Sequence, residues 1–176
     1  MTPKNTAQPS YFSPVGGHPP QTQLMTDRAV FSEAYAVIPR GTMRDIVTSY
    51  LPFWEQTRAW ALARPMTGFA ETFSQYIVEV QPGGGSDNPE PESEVQAVLF
   101  VPEGAVTITF ADWQLHMRPG GYAYLPAGAN WRLHNPGSEI ARFHWLRKAN
   151  TPVGGIARPE AIYTNETEVA PPPIPG

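Results

Sequence analysis

The chain has 176 residues, with Lys+Arg 12 against Asp+Glu 16, and no cysteine. A net charge of −4 without a basic run argues against a phosphate-neutralising nucleic-acid surface, and the missing cysteine excludes disulfides, a thiolate nucleophile and a Cys-based zinc site. No apolar stretch is long enough to cross a bilayer as a helix, and the N-terminus has no apolar core of a signal peptide, so a cytoplasmic protein is expected.

Twenty-one prolines and 15 glycines break the chain into short segments and point to an all-β domain with irregular ends. Residues 1–26 hold five prolines and one charge, Lys4, with neither helical nor strand periodicity, and read as an extended or disordered arm. Leu51–Leu62 has a composition that suits a helix, but Trp60 and Leu62 also fit a strand, and strand is the reading adopted. Period-two alternation begins in earnest at Thr72–Val80 and returns at Val95–Val101, Val106–Phe110, Trp113–Met117, Tyr122–Leu125, Trp131–His134 and Ile140–Leu146. Gly/Pro turns separate these runs, among them Pro102-Glu103-Gly104, Pro119-Gly120-Gly121 and Asn135-Pro136-Gly137. Short strands at steady spacing indicate a sandwich or barrel. Residues 150–176, ending Pro171-Pro172-Pro173-Ile174-Pro175-Gly176, read as a Pro/Gly-rich linker, which leaves 27–149 as the barrel.

One stretch is more specific. Gly120, five residues, Pro126, one residue, Gly128 and then Asn135 resemble the second motif of the cupins, Gly, five, Pro, one, Gly, two, His, three, Asn. The resemblance implies a single cupin, a double-stranded β-helix or jelly-roll barrel. It also implies a metal site, whose histidine position here is Trp131. Counting forward from Gly83, the remaining ligand positions of the first motif are Pro89, Pro91 and Gln96; counting back from Gly104 moves the carboxylate position to Ala97. A metal needs imidazole nitrogens and carboxylate oxygens converging at about 2.0–2.2 Å. Proline, alanine and tryptophan supply none, so no metal is expected in this chain.

Further segments extend the resemblance over nearly the whole chain: Gly16-Gly17-His18-Pro19-Pro20-Gln21, Thr26-Asp27-Arg28-Ala29, Ala36–Gly41, Leu99–Gly104, Gly120–Pro126 and Arg147-Lys148. In these the chain resembles the (S)-ureidoglycine aminohydrolase family, two-cupin enzymes of purine and allantoin breakdown. Family members are roughly half as long again as this chain. The resemblance implies that this is the degenerate N-terminal cupin, expected to be inactive alone. It also implies that a manganese-bearing C-terminal cupin, absent here, hydrolyses ureidoglycine to ureidoglycolate and ammonia. The expected partners are that second cupin and further copies in a homo-oligomer, with no nucleic acid and no membrane. The alternative is a stand-alone metal-free cupin serving as a small-molecule-binding or assembly module.

The residues offer a few candidate roles. Gln96, Tyr124 and Trp131 are pocket-lining candidates; Gln96 is equally suited to bonding a ligand or a buried polar neighbour. Trp113, Tyr122, Tyr124, Trp131, Phe143 and Trp145 are expected to pack the core, with Trp131 plugging the vacated metal position. Glu90, Glu92 and Glu94 form an acidic stretch whose interleaved prolines favour a solvated loop over a replacement hard-metal site. If Trp131 points inward, strand alternation turns His134 outward. His116 and His144 receive no role, and no catalytic residue is assigned.

Overall fold

The computed structural model describes residues 30–31, 35–37, 51–63 and 72–170. The arm read at 1–26 lies outside these. β1 (Val30–Phe31) and β2 (Ala36–Val37) pair with each other as a separate two-stranded sheet. All other strands belong to one sheet, in the order β11-β8-β5-β10-β4-β9-β6-β7, with β3 also paired to β4. Their ranges are β3 Glu55–Ala63, β4 Ser74–Ser86, β5 Val95–Glu103, β6 Val106–Thr109, β7 Gln114–Met117, β8 Gly121–Leu125, β9 Arg132–His134, β10 Ala141–Ala149 and β11 Ile162–Asn165. The only helical piece among the described residues is a 3₁₀ turn, Glu166–Glu168. The result is an all-β, nearly closed barrel.

Alternation decides what is inside. Ala97, Leu99 and Val101 of β5, Ala123 and Leu125 of β8, Val78 and Val80 of β4, and Ala141, Phe143 and Trp145 of β10 are all buried in one core. Their neighbours one residue along face outward, as period two requires. On that outer face a charged row crosses four strands. Arg58 of β3 lies opposite Glu79, Glu79 opposite Arg142, and Arg142 opposite Glu103. Arg142 donates to Glu79 through Nη2 at 2.9 Å and to Glu103 through Nη1 at 2.5 Å. Those two carboxylates, Glu103 foremost, hold its guanidinium above the ordinary value.

Two differences from the predicted elements have clear physical causes. β4 does not stop at Val80 but continues through Pro82–Gly85 to Ser86, because Gly85 lets the chain pass against β9. A Cβ on Gly85 would lie 2.1 Å from the carbonyl oxygen of Leu133. β11 forms within the stretch read as a linker and pairs with β8 from Ile162 to Asn165, so the sheet continues past residue 149. Asn165 fixes it there: its amide donates to the Pro119 carbonyl at 3.0 Å, and its Oδ1 accepts from Thr167 N at 3.1 Å.

Asn135, the last position of the motif, joins the turn after β9 to the core. Its buried amide donates to the carbonyls of Val80 at 3.0 Å and Glu139 at 2.7 Å, while Oδ1 accepts from Gly137 N at 2.9 Å. Gly128 has φ +84, a left-handed conformation that explains glycine at that motif position without any steric neighbour closer than 3.7 Å.

Asn135→Ala strands the buried Val80 carbonyl and two further groups. It is expected to cost about 2–3 kcal/mol in urea unfolding; a loss below half a kcal/mol would contradict this role. On the outer face of β10, His144 lies between Ile77 and Phe100, and its buried Nδ1 has no hydrogen-bond partner. Burial pushes its pKa below the ordinary 6.5, so the unfolded chain takes up the proton first. Stability should therefore fall as pH drops below about 6.5, and His144→Phe should flatten that slope, measured by thermal unfolding across the acid range.

Candidate functional site

The positions that the motif resemblance singles out lie on or beside β5 and β9, at the barrel interior. Ala97 points into it and is buried, so the backward count from Gly104 gives the inward register. Gln96, the forward count, lies one residue earlier and faces out. Trp131 is buried and meets Trp145 edge-on with ring centroids 6.4 Å apart. Trp145 also contacts Trp54 at 5.5 Å and Tyr76 at 5.9 Å, and Trp54 reaches Phe143 at 6.1 Å. These rings pack together within the barrel beside Ala97. Trp54 was not legible as a core residue, since it precedes β3 and belongs to no alternating run.

Of the six aromatic residues expected in the core, Trp131, Phe143 and Trp145 are there. Trp113, Tyr122 and Tyr124 are not. Tyr122 and Tyr124 face outward because β8 buries Gly121, Ala123 and Leu125 instead. Trp113 is exposed just before β7, stacked on Phe110 at 4.2 Å.

Gln96 and Tyr124 are brought together, but apart from Trp131. The Tyr124 hydroxyl donates to Gln96 Oε1 at 2.9 Å. The pair lies in an outer-face groove of about 270 Å³ with Phe73, Val98, Leu146 and Lys148. Gln96 thus bonds a half-buried polar neighbour and also lines a groove, though not the barrel interior.

The acidic stretch is paired off with arginines. Glu90, only 4 % exposed at its side chain, accepts two hydrogen bonds from Arg147, at 2.5 Å to Nε and 2.6 Å to Nη2. The guanidinium lies 5.0 Å from the Trp145 ring centroid. Burial opposes the Arg147 charge, but the Glu90 hydrogen bonds and the charges of Glu90 and Glu92 outweigh it and raise its pKa. Glu92 and Glu94 are exposed, at 3.6 Å from Arg147 and 3.7 Å from Arg158. The stretch is therefore not uniformly solvated: Glu90 is an internal brace held by Arg147, and Pro89 before it is buried. Pro91 is exposed. Among the described residues no three His, Asp or Glu side chains converge as a metal would require. The side chains at the ligand positions do not fit a metal of the cupin kind.

The histidines sit elsewhere. His134 turns outward while Trp131 and Leu133 are buried, and its Nε2 is 3.9 Å from Asp87 Oδ1. His116 Nδ1 is 2.6 Å from the Thr107 hydroxyl. Among the described residues no helix is long and apolar enough to cross a membrane.

Comparison with known proteins bears on the fold. Residues 76–147 match the cupin domain. The chain is 25 % identical over 161 residues to (S)-ureidoglycine aminohydrolase of Escherichia coli strain K12, covering 90 % of this chain and 58 % of that protein. It is similar to the crystal structure of a Pseudomonas aeruginosa protein described as glyoxylate-induced, with TM-score 0.78, 53 % identity, and 95 % and 60 % of the two chains covered. The crystal structure of protein Ylba from E. coli shares the fold, with TM-score 0.73 at 24 % identity over 85 % of this chain and 60 % of that one. The chain thus spans about three fifths of the length of these relatives. Strand order, motif and comparison converge on one conclusion: the chain has the fold of a cupin, an all-β, nearly closed barrel whose residues 76–147 match the cupin domain.

Proposed function

We propose that this chain is the structural, non-catalytic cupin half of a (S)-ureidoglycine aminohydrolase-like protein. The observation that carries this reading is the barrel interior: Ala97 and Trp131 stand at ligand positions, and Trp54, Trp131 and Trp145 fill the space between the strands. An interior filled by rings, with no histidine or carboxylate at those two positions, suits bracing a neighbouring domain better than holding a catalytic metal. The similarity to ureidoglycine aminohydrolase supports the choice of reaction, and the partial coverage of the relatives leaves room for a second, manganese-bearing cupin. In this reading the chain's share of the work is to hold that cupin in place.

The alternative, a small-molecule-binding cupin, loses its motivation in the barrel interior, which is packed. It keeps one foothold, the outer groove at Gln96 and Tyr124.

The chain alone, incubated with manganese and desalted, should retain metal only at background by mass spectrometry and release no ammonia from ureidoglycine. Manganese-dependent ammonia release by the isolated chain would sink the proposal. The brace at Glu90 gives a separate expectation. Glu90→Gln removes the carboxylate from the half-buried Arg147 and should cost about 2–4 kcal/mol of stability, leaving metal retention where it was. Metal retained by the parent chain and lost in this variant would instead make Glu90 a ligand.

A further inference from the structure

The outer wall of a barrel meets water, and strand alternation normally supplies it with polar side chains. Where β8, β5 and β10 run side by side, several outward residues are apolar or aromatic instead. Leu146 of β10 stands directly opposite Val98 of β5, and Val98 directly opposite Tyr124 of β8. All three are half-buried. With Phe73 as a side wall they floor the outer groove of about 270 Å³. A site of this size lies just below the span of drug-sized pockets, about 300–1,000 Å³, so its occupant is small.

One rung further along β5 and β10 the chemistry changes. Lys148 stands opposite Gln96, and both line the groove. Directly opposite residues on one face of an antiparallel pair have Cβ atoms about 4.5–5.5 Å apart, so the ammonium and the amide reach one point. The Tyr124 hydroxyl donates to Gln96 Oε1 at 2.9 Å, which leaves the amide nitrogen as the end presented to a ligand. Of the two cations on the lining, Arg147 is held by Glu90 and Glu92, while Lys148 is exposed. The rung therefore gathers N–H donors and a positive charge at the end of an apolar floor.

That order of groups fits one ligand chemistry, a single carboxylate on a short apolar body. The carboxylate accepts from Lys148 Nζ and Gln96 Nε2, and the body lies over Val98 and Leu146 beside Phe73 and Tyr124. Past Lys148 the surface opens into a second hollow of about 570 Å³, with Glu92 on its wall. A second carboxylate reaching there would meet like charge, which selects against diacids. We propose that this outer groove is a binding site for a small apolar monocarboxylate. It uses no side chain of the barrel interior, so it is independent of the structural role proposed above, and its failure would leave that role standing.

The probes are phenylacetate and hexanoate, each titrated into the isotope-labelled chain and followed by backbone amide chemical shifts. Dissociation constants on the order of 1 mM are expected, with the shifts centred on Phe73, Val98, Tyr124 and Lys148. 2-Phenylethanol keeps the ring without the carboxylate, and acetate the carboxylate without the body; each should bind at least about tenfold more weakly. Lys148→Glu should weaken both acids about tenfold and Gln96→Leu about fourfold, at unchanged thermal midpoint. Arg118→Glu changes the net charge equally but is not on the groove, and should leave binding unchanged. No shifts from either acid up to about 20 mM would overturn the proposal. So would 2-phenylethanol binding as tightly as phenylacetate, or a Lys148→Glu chain that binds the acids as the parent does.

Discussion

Trp145 is the side chain around which the interior is organised. It lies on the longest inward run of β10 and is touched by Trp54, Tyr76 and Trp131 within the barrel, with Arg147 over its ring. Large rings bury much apolar surface and prefer tilted or edge-on contacts, which is how all of these are arranged. A barrel packed in this way has its cohesion at the position where a metal-binding cupin has its chemistry. Stability and metal chemistry make opposite demands on that space: one wants large, closely packed rings, the other wants ligand atoms, water and room.

The outer wall follows from the same strand. With Phe143 and Trp145 inward, Arg142, His144 and Leu146 must face out, and the first of these becomes the centre of the charged row. That row sets register as much as it adds energy. A one-residue slip of β10 would bring Arg142 inside and leave Glu79, which is nearly buried, without its closest partner.

Most of the fold was legible in the sequence, since alternation in Val95–Val101 or Ile140–Leu146 depends only on neighbouring residues. The failures are instructive. β4 reads as ending at Val80 because three successive glycines look like a loop, whereas Gly85 serves the close approach of β9. β11 sits in a Gly/Pro-rich stretch and has no strong pattern of its own; its pairing with β8 and the anchor at Asn165 are tertiary. The candidate site was legible at Trp131, where a fixed motif spacing names the position, and ambiguous at Gln96 and Ala97, where the first motif has two registers. Glu90 could not be distinguished from Glu92 and Glu94 by sequence, because its burial depends on an arginine 57 residues away. Nor could Trp113, Tyr122 and Tyr124 be sorted from core aromatics without knowing which residues of β8 are small enough to lie inside.

The packing of Trp131 against Trp145 also bears on how such a barrel can change over generations. A metal centre at the positions the motif resemblance implies would need imidazole at Trp131, further donors at Pro89 and Pro91, and a carboxylate at Gln96 or, in the other register, Ala97. At Ala97 or Trp131 such a change alone puts an unpaired polar group among buried apolar side chains, and at Trp131 it also leaves part of the indole's volume empty. Each intermediate is worse folded than its parent and still binds nothing. A barrel closed by rings in this way behaves as a ratchet: drift can polish the packed interior, while single steps toward inward-facing donors at Ala97 or Trp131 cost stability.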